Sequence, residues 1–293
     1  MRIGFNLLVV SDHIDETHAG VLEMVKRAGF DGVEVPIFDG TPQHYRRLGA
    51  LLREIGLAAT AVSIVTDETS PLCPGAEAAM RARARLAWAV DCCAELGANL
   101  LGGPFHSPVG TFSGEGPTEA ELDRCAERLR EAAEYGEKAG VKLSFEPLNR
   151  FECYLVNTLD QAAALKCRVG HANLDFMYDT FHANIEERDP VAAYLRHHGD
   201  IGHIHISEND RGIPGRGHIA FAPIFRAIRN SSYDGWLTVE AFGRALPALA
   251  GATRVWRDLF PDRETLIAES LSFIRANWQS AGDAARDSVT FKG

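Results

Sequence analysis

The chain has 293 residues, of which 46% are hydrophobic and 24% are charged, and this ordinary globular composition supports a large buried core. The formal net charge of −10 argues against a nucleic-acid-binding protein, because neutralising phosphates requires a basic face, and it also disfavours polyanionic substrates. No apolar stretch approaches the roughly 18 residues that a membrane-spanning helix requires, so we expect no membrane partner.

The beginning of the chain and its cysteines favour a cytoplasmic protein. Met1–Val10 carries one arginine and a short apolar run, but Asp12, Asp15 and Glu16 follow at once. The segment is therefore a poor signal peptide and is better interpreted as a first strand. The six cysteines are scattered without a C-x-x-C pair, which favours reduced thiols over disulfides or a structural zinc site.

Short β-rich runs alternate with amphipathic helical stretches along the whole chain. The predicted strands are Ile3–Leu8, Gly32–Pro36, Ala58–Val65, Asn99–Gly102, Val141–Glu146, Leu174–Asp179, Ile201–Ile206 and Leu237–Glu240. The predicted helices between them include His18–Gly29, Gln43–Gly56, Ala76–Gly97, Glu119–Gly140 and Leu159–Val169. Several helices stop at a glycine just before the next strand, which is typical of a left-handed C-cap. These glycines are Gly29, Gly56, Gly97 and Gly140.

Eight β units that alternate with helices predict a parallel sheet, and eight is the number that closes a (β/α)₈ barrel, or TIM barrel. An open doubly wound sheet is the alternative, but its G-x-G-x-x-G fingerprint after the first strand is missing. We therefore predict a single α/β domain, a TIM barrel, over residues 1–293. Its polar end, residues 280–293, has the composition of a flexible, loosely held C-terminal tail.

Four consecutive predicted strands end in side chains that can bind a metal, and barrel enzymes build their active sites at that end of the strands. Strands five, six and eight end in Glu146, Asp179 and Glu240, and strand seven carries His203 and His205. Each one alone is more typical of a strand-end polar residue that meets solvent or caps the next helix than of a metal ligand. Three packed carboxylates, however, repel one another unless a cation holds them. Three oxygen donors and one imidazole suit Mn²⁺, Mg²⁺ or Co²⁺ better than they suit a structural zinc ion.

The residues around these strand ends form a series of motifs in the C-terminal half of the chain. The motifs are Phe145–Glu152, Tyr154–Thr158, Asp179–Glu187, Gly202–His205, Glu208–Arg211, Pro214–Ile219, Thr238–Glu240 and Val255–Asp258. In this order they resemble the ketose 3-epimerases (the D-tagatose, D-allulose or D-psicose, and L-ribulose 3-epimerase group) of the xylose-isomerase-like TIM barrels. The N-terminal half matches this family only in general layout.

The resemblance implies a metal centre and a pair of catalytic residues. Glu146, Asp179, His205 and Glu240 would bind one divalent ion per chain, with Mn²⁺ as the expected ion and Co²⁺ or Mg²⁺ as alternatives. Glu146 and Glu240 would also exchange the proton at C3 of the sugar from opposite faces.

The resemblance also implies roles for residues around the sugar. Glu152, His182 and Arg211 would hold the oxygens at C1 and C2. His203 is interpreted as a core histidine or one that lies behind the ligands, and Pro214–Gly217 as a loop shaped by its glycines. The family further implies a homodimer or a homotetramer.

The predicted reaction is metal-dependent epimerisation of a free ketose at C3. A proton α to the C2 carbonyl is removed, and one is returned on the other face, through a cis-enediolate intermediate. A divalent cation beside O2 and O3 would stabilise the developing charge, and two carboxylates would act as base and acid. Acidic net charge and the absence of an evident phosphate-cradling loop favour an unphosphorylated ketopentose or ketohexose.

One departure from the family concerns the first strand and its loop, where family members carry several Tyr and Trp residues. Here Asn6–His13 contains no aromatic side chain other than the imidazole of His13. We expect this change to widen or shift the substrate preference at the C4–C6 end of the sugar. Recognition of the C1–C3 end should be unchanged.

Several other functions stay open at this point. An aldose–ketose isomerase, or an inosose dehydratase or isomerase, on the same barrel would use similar metals at a different carbon. A phosphodiesterase of the endonuclease IV type would need more histidine ligands for several zinc ions and a basic DNA face. A non-catalytic sugar-binding protein would have no use for carboxylate bases on both faces of the sugar.

Overall fold

The computed structural model of the protein describes residues 1–290, with side chains over residues 1–283. Eight parallel strands close into a barrel in chain order, since each strand pairs with the next and the eighth pairs with the first. The strands are β1 (Arg2–Asn6), β2 (Gly32–Pro36), β3 (Ala58–Val62), β4 (Leu100–Gly103), β5 (Lys142–Phe145), β6 (Leu174–Asp179), β7 (Ile201–Ile206) and β8 (Trp236–Val239). The predicted (β/α)₈ TIM barrel is confirmed.

Helices α1 to α8 connect successive strands of the barrel, and α9 and α10 follow β8. They are α1 (Ala19–Ala28), α2 (Pro42–Ile55), α3 (Ala76–Leu96), α4 (Glu119–Ala139), α5 (Leu159–Val169), α6 (Thr180–Glu186), α7 (Pro190–His197), α8 (Phe221–Asn230), α9 (Pro247–Thr253) and α10 (Arg263–Thr290). The predicted tail over residues 280–293 overlaps the end of α10, and residues 291–293 lie outside the described residues. Within residues 1–290, no helix is both long and apolar enough to cross a membrane.

The four predicted helix-capping glycines have the left-handed backbone that was expected. Gly29, Gly56, Gly97 and Gly140 follow α1, α2, α3 and α4 with φ values of 107°, 83°, 83° and 71°. Residues with a Cβ rarely adopt this conformation, so these glycines end the helices and turn the chain into the next strand. The sequence prediction of these C-caps is confirmed.

Two predicted strands end two or more residues earlier than expected. The first was extended to Leu8, but β1 ends at Asn6, whose side chain accepts a hydrogen bond from the Leu8 backbone at 2.8 Å. This local bond turns residues 7–9 into a short 3₁₀ helix. The third was extended to Val65, but β3 ends at Val62, and the next hydroxyl, that of Ser63, donates to the Ile37 carbonyl at 2.7 Å. The predicted C-terminal ends of both strands were wrong because the pattern of apolar residues contains no information about such local hydrogen bonds.

Helices α2 and α3 pack closely at Gly49, and this contact yields a prediction about stability. A Cβ on Gly49 would lie 2.2 Å from the carbonyl oxygen of Leu96, so Gly49→Ala must push the helices apart. We expect a destabilisation of about 1–3 kcal/mol, which is typical of overpacking, measured as a lower urea midpoint. Gly20→Ala is the matched control, because Gly20 in α1 has open space, and it should stabilise the fold by about 0.4–1 kcal/mol. A Gly49→Ala variant as stable as the wild type would contradict the tight contact.

Candidate active site

The carboxyl ends of β5 to β8 bring four predicted site residues together at one mouth of the barrel. Glu146 follows β5, Asp179 ends β6, His205 lies in β7, and Glu240 follows β8. One ligand atom of each residue lies within 4.8 Å of those of the other three, and all four side chains are buried. The four residues therefore meet where the resemblance expects the metal ion.

The geometry of these four groups fits a divalent cation. The Nδ1 atom of His205 lies 3.3 Å from Glu146 Oε1, 3.5 Å from Asp179 Oδ2 and 3.3 Å from Glu240 Oε1. Among the described residues, neither this Nδ1 atom nor Glu146 Oε1 has a well-aligned hydrogen-bond partner, although both are buried. Buried polar atoms of this kind are costly unless something binds them. Three carboxylates and one imidazole are suitable donors for a hard or borderline divalent ion.

The pKa shifts of the residues in the cluster also favour a bound cation. Burial raises the pKa of Glu240 well above its ordinary value, and the Glu146 and Asp179 carboxylates add to this effect against the attraction of His205. Burial lowers the pKa of His205, but the Glu34 and Glu240 carboxylates outweigh it and hold that pKa well above the ordinary value. For Asp179, burial raises the pKa, but the neighbouring His205 and His182 imidazoles outweigh it and lower that pKa to about 2. The carboxylates therefore disfavour one another's ionised form, and a bound cation would relieve this repulsion.

Asp179 serves the local fold as well as the site. Its Oδ1 atom accepts the backbone N–H groups of Phe181 at 2.6 Å and His182 at 3.1 Å, which caps the start of α6. Its Oδ2 atom faces the cluster and accepts the Ser207 hydroxyl at 2.9 Å. One oxygen of this carboxylate therefore caps the helix, while the other faces the predicted metal ligands.

Arg211 and Glu152, both predicted to hold the sugar, form a buried pair beside the cluster. The two guanidinium NH groups of Arg211 donate to the two Glu152 oxygens at 2.8 and 3.1 Å. The guanidinium also lies against the rings of Phe181 and Phe242, with centroids at 4.2 and 5.0 Å. Such two-point contacts fix the orientation of both side chains.

His182, the third predicted sugar-binding residue, has a defined tautomer. Its Nδ1 atom accepts the backbone N–H of Asn149 at 3.0 Å, and the side-chain amide of Asn149 lies at the same distance. Because Nδ1 accepts a hydrogen bond, the neutral ring carries its hydrogen on Nε2. The side chain is therefore a donor on the face away from Asn149.

A cavity of about 130 Å³ joins the predicted catalytic and sugar-binding residues. Its polar lining consists of Glu146, Glu152, His182, Arg211, Glu240 and Thr253. Much of the remaining wall is apolar and includes Leu8, Phe38, Val62, Ile64, Phe242 and Leu249. The residue that the first-strand loop contributes is thus Leu8, and the aromatic surface comes from the ends of β2 and β8 instead.

Comparisons with known proteins agree with this geometry. A family model described as the xylose isomerase-like TIM barrel matches residues 22–277. A probable ketose 3-epimerase of Synechocystis sp. is 33% identical over 260 residues, which cover 89% of this chain and 91% of the relative. A ketose 3-epimerase of Arthrobacter globiformis is 32% identical over 278 residues, 94% and 96% of the two chains. A solved structure of L-ribulose 3-epimerase has a TM-score of 0.92 at 30% identity, with 97% of both chains covered. The chain belongs to the ketose 3-epimerase family of xylose isomerase-like TIM barrels.

In this member of the ketose 3-epimerase family, the sequence analysis missed two residues that support the site from the N-terminal half. Glu34 in β2 accepts a hydrogen bond from His205 Nε2 at 2.7 Å. The Asn6 amide donates to Glu34 Oε1 at 3.0 Å and to Glu240 Oε1 at 3.2 Å. One signal in the sequence could have indicated Glu34, because it is a single glutamate between Val33 and Val35 in an apolar strand. A carboxylate buried in this way requires a hydrogen-bonding or charged partner.

A third missed residue, Glu208, shapes the loop that carries Arg211. Its buried carboxylate accepts the backbone N–H groups of Asn209, Gly215 and Ile219 at 3.0, 2.7 and 3.2 Å. Arg211 itself has a left-handed backbone with a φ of 64°, and its N–H donates to the Glu208 carbonyl at 2.9 Å. The glycine-containing loop of this family member is therefore organised by one acidic side chain as well as by its glycines.

Proposed function

We propose that the protein is a metal-dependent isomerase that epimerises free ketoses at C3. The observation that carries the proposal is the pair Glu146 and Glu240. Both carboxylates line the cavity, and both lie 3.3 Å from the same ring nitrogen of His205. Two converging carboxylates in one sugar-sized site can serve as the base and the acid of a proton exchange.

In this mechanism, one glutamate removes the proton at C3 and the other returns a proton to the opposite face. The two exchange roles in the reverse reaction. Glu146, Asp179, His205 and Glu240 would hold the divalent ion, with Mn²⁺ as the proposed ion and Co²⁺ or Mg²⁺ as alternatives. When bound, the ion supplies Lewis acidity that stabilises the negative charge developing on O2.

The paired Arg211 and Glu152, together with His182, would fix the C1–C2 end of the sugar, so that C3 faces the glutamates. The Nε2 hydrogen of His182 and the Arg211 guanidinium are donors for carbonyl and hydroxyl oxygens, while Glu152 accepts from hydroxyl groups. Orientation of this kind is what distinguishes epimerisation at C3 from isomerisation between C1 and C2.

The lining of the cavity favours an unphosphorylated substrate. Arg211 is the one permanently charged basic side chain among the lining residues. Its positive charge is already paired with the Glu152 carboxylate. A sugar phosphate would bring two further negative charges to a cavity that contains Glu146 and Glu240. The apolar wall suits the carbon-bound hydrogens of a free ketopentose or ketohexose at its C4–C6 end.

Arg211→Lys tests the role of the buried pair. Lysine keeps the charge but loses the two-point contact with Glu152, so we expect KM to rise about tenfold with a smaller change in kcat. Arg244→Lys is the matched control, because Arg244 makes a similar two-point contact with Asp258 on the surface, at 2.8 and 2.7 Å. If both variants have wild-type KM values, Arg211 does not position the sugar.

The proposal extends to a cytoplasmic homodimer or homotetramer. Phe151 and Trp256 are each 69% exposed, and large exposed aromatic side chains often mark protein contacts. Both lie in the motifs that carry the family resemblance, so a subunit interface is their proposed role. Light scattering on the purified protein would measure the oligomeric state directly.

The experiment that tests the function uses metal-loaded protein with a panel of free ketoses and ketose phosphates. The products are resolved as C3 epimers, aldoses or dehydrated sugars. We expect C3 epimers of free ketoses, and lower kcat/KM values for the phosphates. Aldoses would indicate an aldose–ketose isomerase, dehydrated products an inosose-type dehydratase, and binding without any product a sugar-binding protein.

A further inference from the structure

Glu34 is a buried carboxylate whose two oxygens are both fully engaged. It lies in the middle of β2 with no solvent exposure. Its Oε1 atom accepts hydrogen bonds from Asn6 Nδ2 at 3.0 Å and from His205 Nε2 at 2.7 Å. Its Oε2 atom accepts the Thr60 hydroxyl at 3.2 Å and lies 2.8 Å from His203 Nε2. A carboxylate buried this deeply persists only with such partners.

The contact with Glu34 determines which nitrogen of His205 faces the other carboxylates. A carboxylate can only accept a hydrogen bond, so Nε2 of His205 must carry a hydrogen. In the neutral ring, the form that binds a metal ion, the lone pair is then on Nδ1, the atom that lies 3.3 Å from both Glu146 and Glu240. The ring is held between Glu34 on one side and the cluster on the other.

Asn6 links Glu34 to the same cluster by a second route. Its amide nitrogen lies between Glu34 Oε1 and Glu240 Oε1, at 3.0 and 3.2 Å. Glu34 does not line the cavity, so it has no path to the sugar except through these neighbours. Any effect of Glu34 on the reaction must therefore pass through His205 or through Asn6 and Glu240.

We propose that Glu34 is a positioning residue that fixes His205 as the Nε2–H tautomer, makes Nδ1 the ligand atom, and thereby sets the affinity of the site for its divalent ion. The inference rests on the proposed function, because it takes His205 as one of the four metal ligands. A carboxylate behind a histidine ligand orients the ring and raises its basicity, and losing such a partner typically weakens metal binding about 10–100-fold.

Glu34, His203 and His205 also have ligand atoms within 4.8 Å of one another, so a second ion at Glu34 is the competing interpretation. It is disfavoured because both Glu34 oxygens already accept hydrogen bonds, and because the His205 nitrogen on this side donates one. The number of ions bound per chain separates the two interpretations.

The test is calorimetric titration of metal-free protein with MnCl₂, for the wild type, Glu34→Gln and Thr60→Val. Glutamine keeps the size of Glu34 but removes its charge, whereas valine at position 60 removes only one neutral donor to the same carboxylate. We expect one ion per chain, a Kd about 10–100-fold higher for Glu34→Gln, and a wild-type Kd for Thr60→Val. Circular dichroism of the metal-free variants checks that both fold.

Three outcomes would overturn the inference. Wild-type Mn²⁺ affinity in a folded but thermally weaker Glu34→Gln would show a purely structural role for Glu34. Two ions per chain in the wild type, one of them lost in Glu34→Gln, would show a second metal site. A wild-type protein that binds no Mn²⁺ would overturn the proposed function and this inference together.

A measurement on the wild type keeps the inference testable if Glu34→Gln does not fold. Nitrogen-15 NMR of histidine in the Mg²⁺-loaded protein reports which ring nitrogen carries hydrogen. We expect His205 to carry hydrogen on Nε2 and none on Nδ1. The opposite tautomer would overturn the proposal.

Discussion

Glu146→Gln and Glu240→Gln are each expected to lose C3 epimerisation, by about 10²–10⁴-fold or more, because every turnover needs one base and one acid. Glutamine keeps an oxygen near the metal site, so metal binding should fall much less than turnover. The rates are measured by resolving the two C3 epimers over time.

The same two variants should differ from each other in proton exchange. The glutamate that remains can still abstract and return a proton on its own face, so we expect slow exchange of the C3 hydrogen with deuterated water without inversion. The two variants should exchange opposite members of an epimer pair, because their remaining glutamates serve opposite faces of C3.

Glu187→Gln is the matched control for both variants. Glu187 is a half-buried glutamate that accepts the Leu159 backbone N–H at 2.7 Å, and it does not line the catalytic cavity. The Glu187→Gln variant should catalyse epimerisation at nearly the wild-type rate. If Glu146→Gln or Glu240→Gln does the same, the two-glutamate mechanism is wrong, and a single base or an isomerase mechanism takes its place.

His205→Ala is expected to lose metal and activity together. Removing the imidazole leaves the Glu146, Asp179 and Glu240 carboxylates facing one another without the ring between them, and it leaves Glu34 without its closest partner. We expect Mn²⁺ affinity to fall at least about 100-fold. This is the upper end of the loss in affinity that is typical when a hydrogen-bond partner of a metal ligand is removed, and here the ligand itself is removed. Calorimetry measures the affinity, and an epimer assay measures turnover.

Two further samples complete the metal experiment. His171→Ala is the control, because His171 precedes β6 at the opposite end of the barrel and should leave metal binding unchanged. Chelated wild-type protein should regain activity when Mn²⁺ or Co²⁺ is added. A dialysed, metal-free wild type that turns over at its normal rate would contradict the metal requirement.

The convergence of the four strand-end residues could be predicted because it follows from topology. In a closed parallel barrel all strands end at the same mouth, so Glu146, Asp179, His205 and Glu240 on four consecutive strands have to meet. The helix ends were predictable for a similar reason, because the left-handed C-cap depends on a local preference of glycine. Neither inference required knowledge of which side chains touch.

Glu34 could not be predicted as the partner of His205 because 171 positions separate them in sequence. An isolated glutamate in an apolar strand indicates a buried partner, but the sequence offers several histidines and amides as candidates. The role of Asn6 was hidden for another reason. The first strand was extended past it, whereas in the structure its side chain both ends that strand and contacts Glu240.

Deuterium labelling is the measurement that tests the central claim most directly. The metal-loaded wild type is incubated with a free ketose in deuterated water, and the product is analysed by NMR. Two glutamates that exchange protons with solvent from opposite faces predict deuterium at C3 of the inverted epimer, and none at C1. Deuterium at C1, or inversion at C3 without deuterium from solvent, would contradict the account.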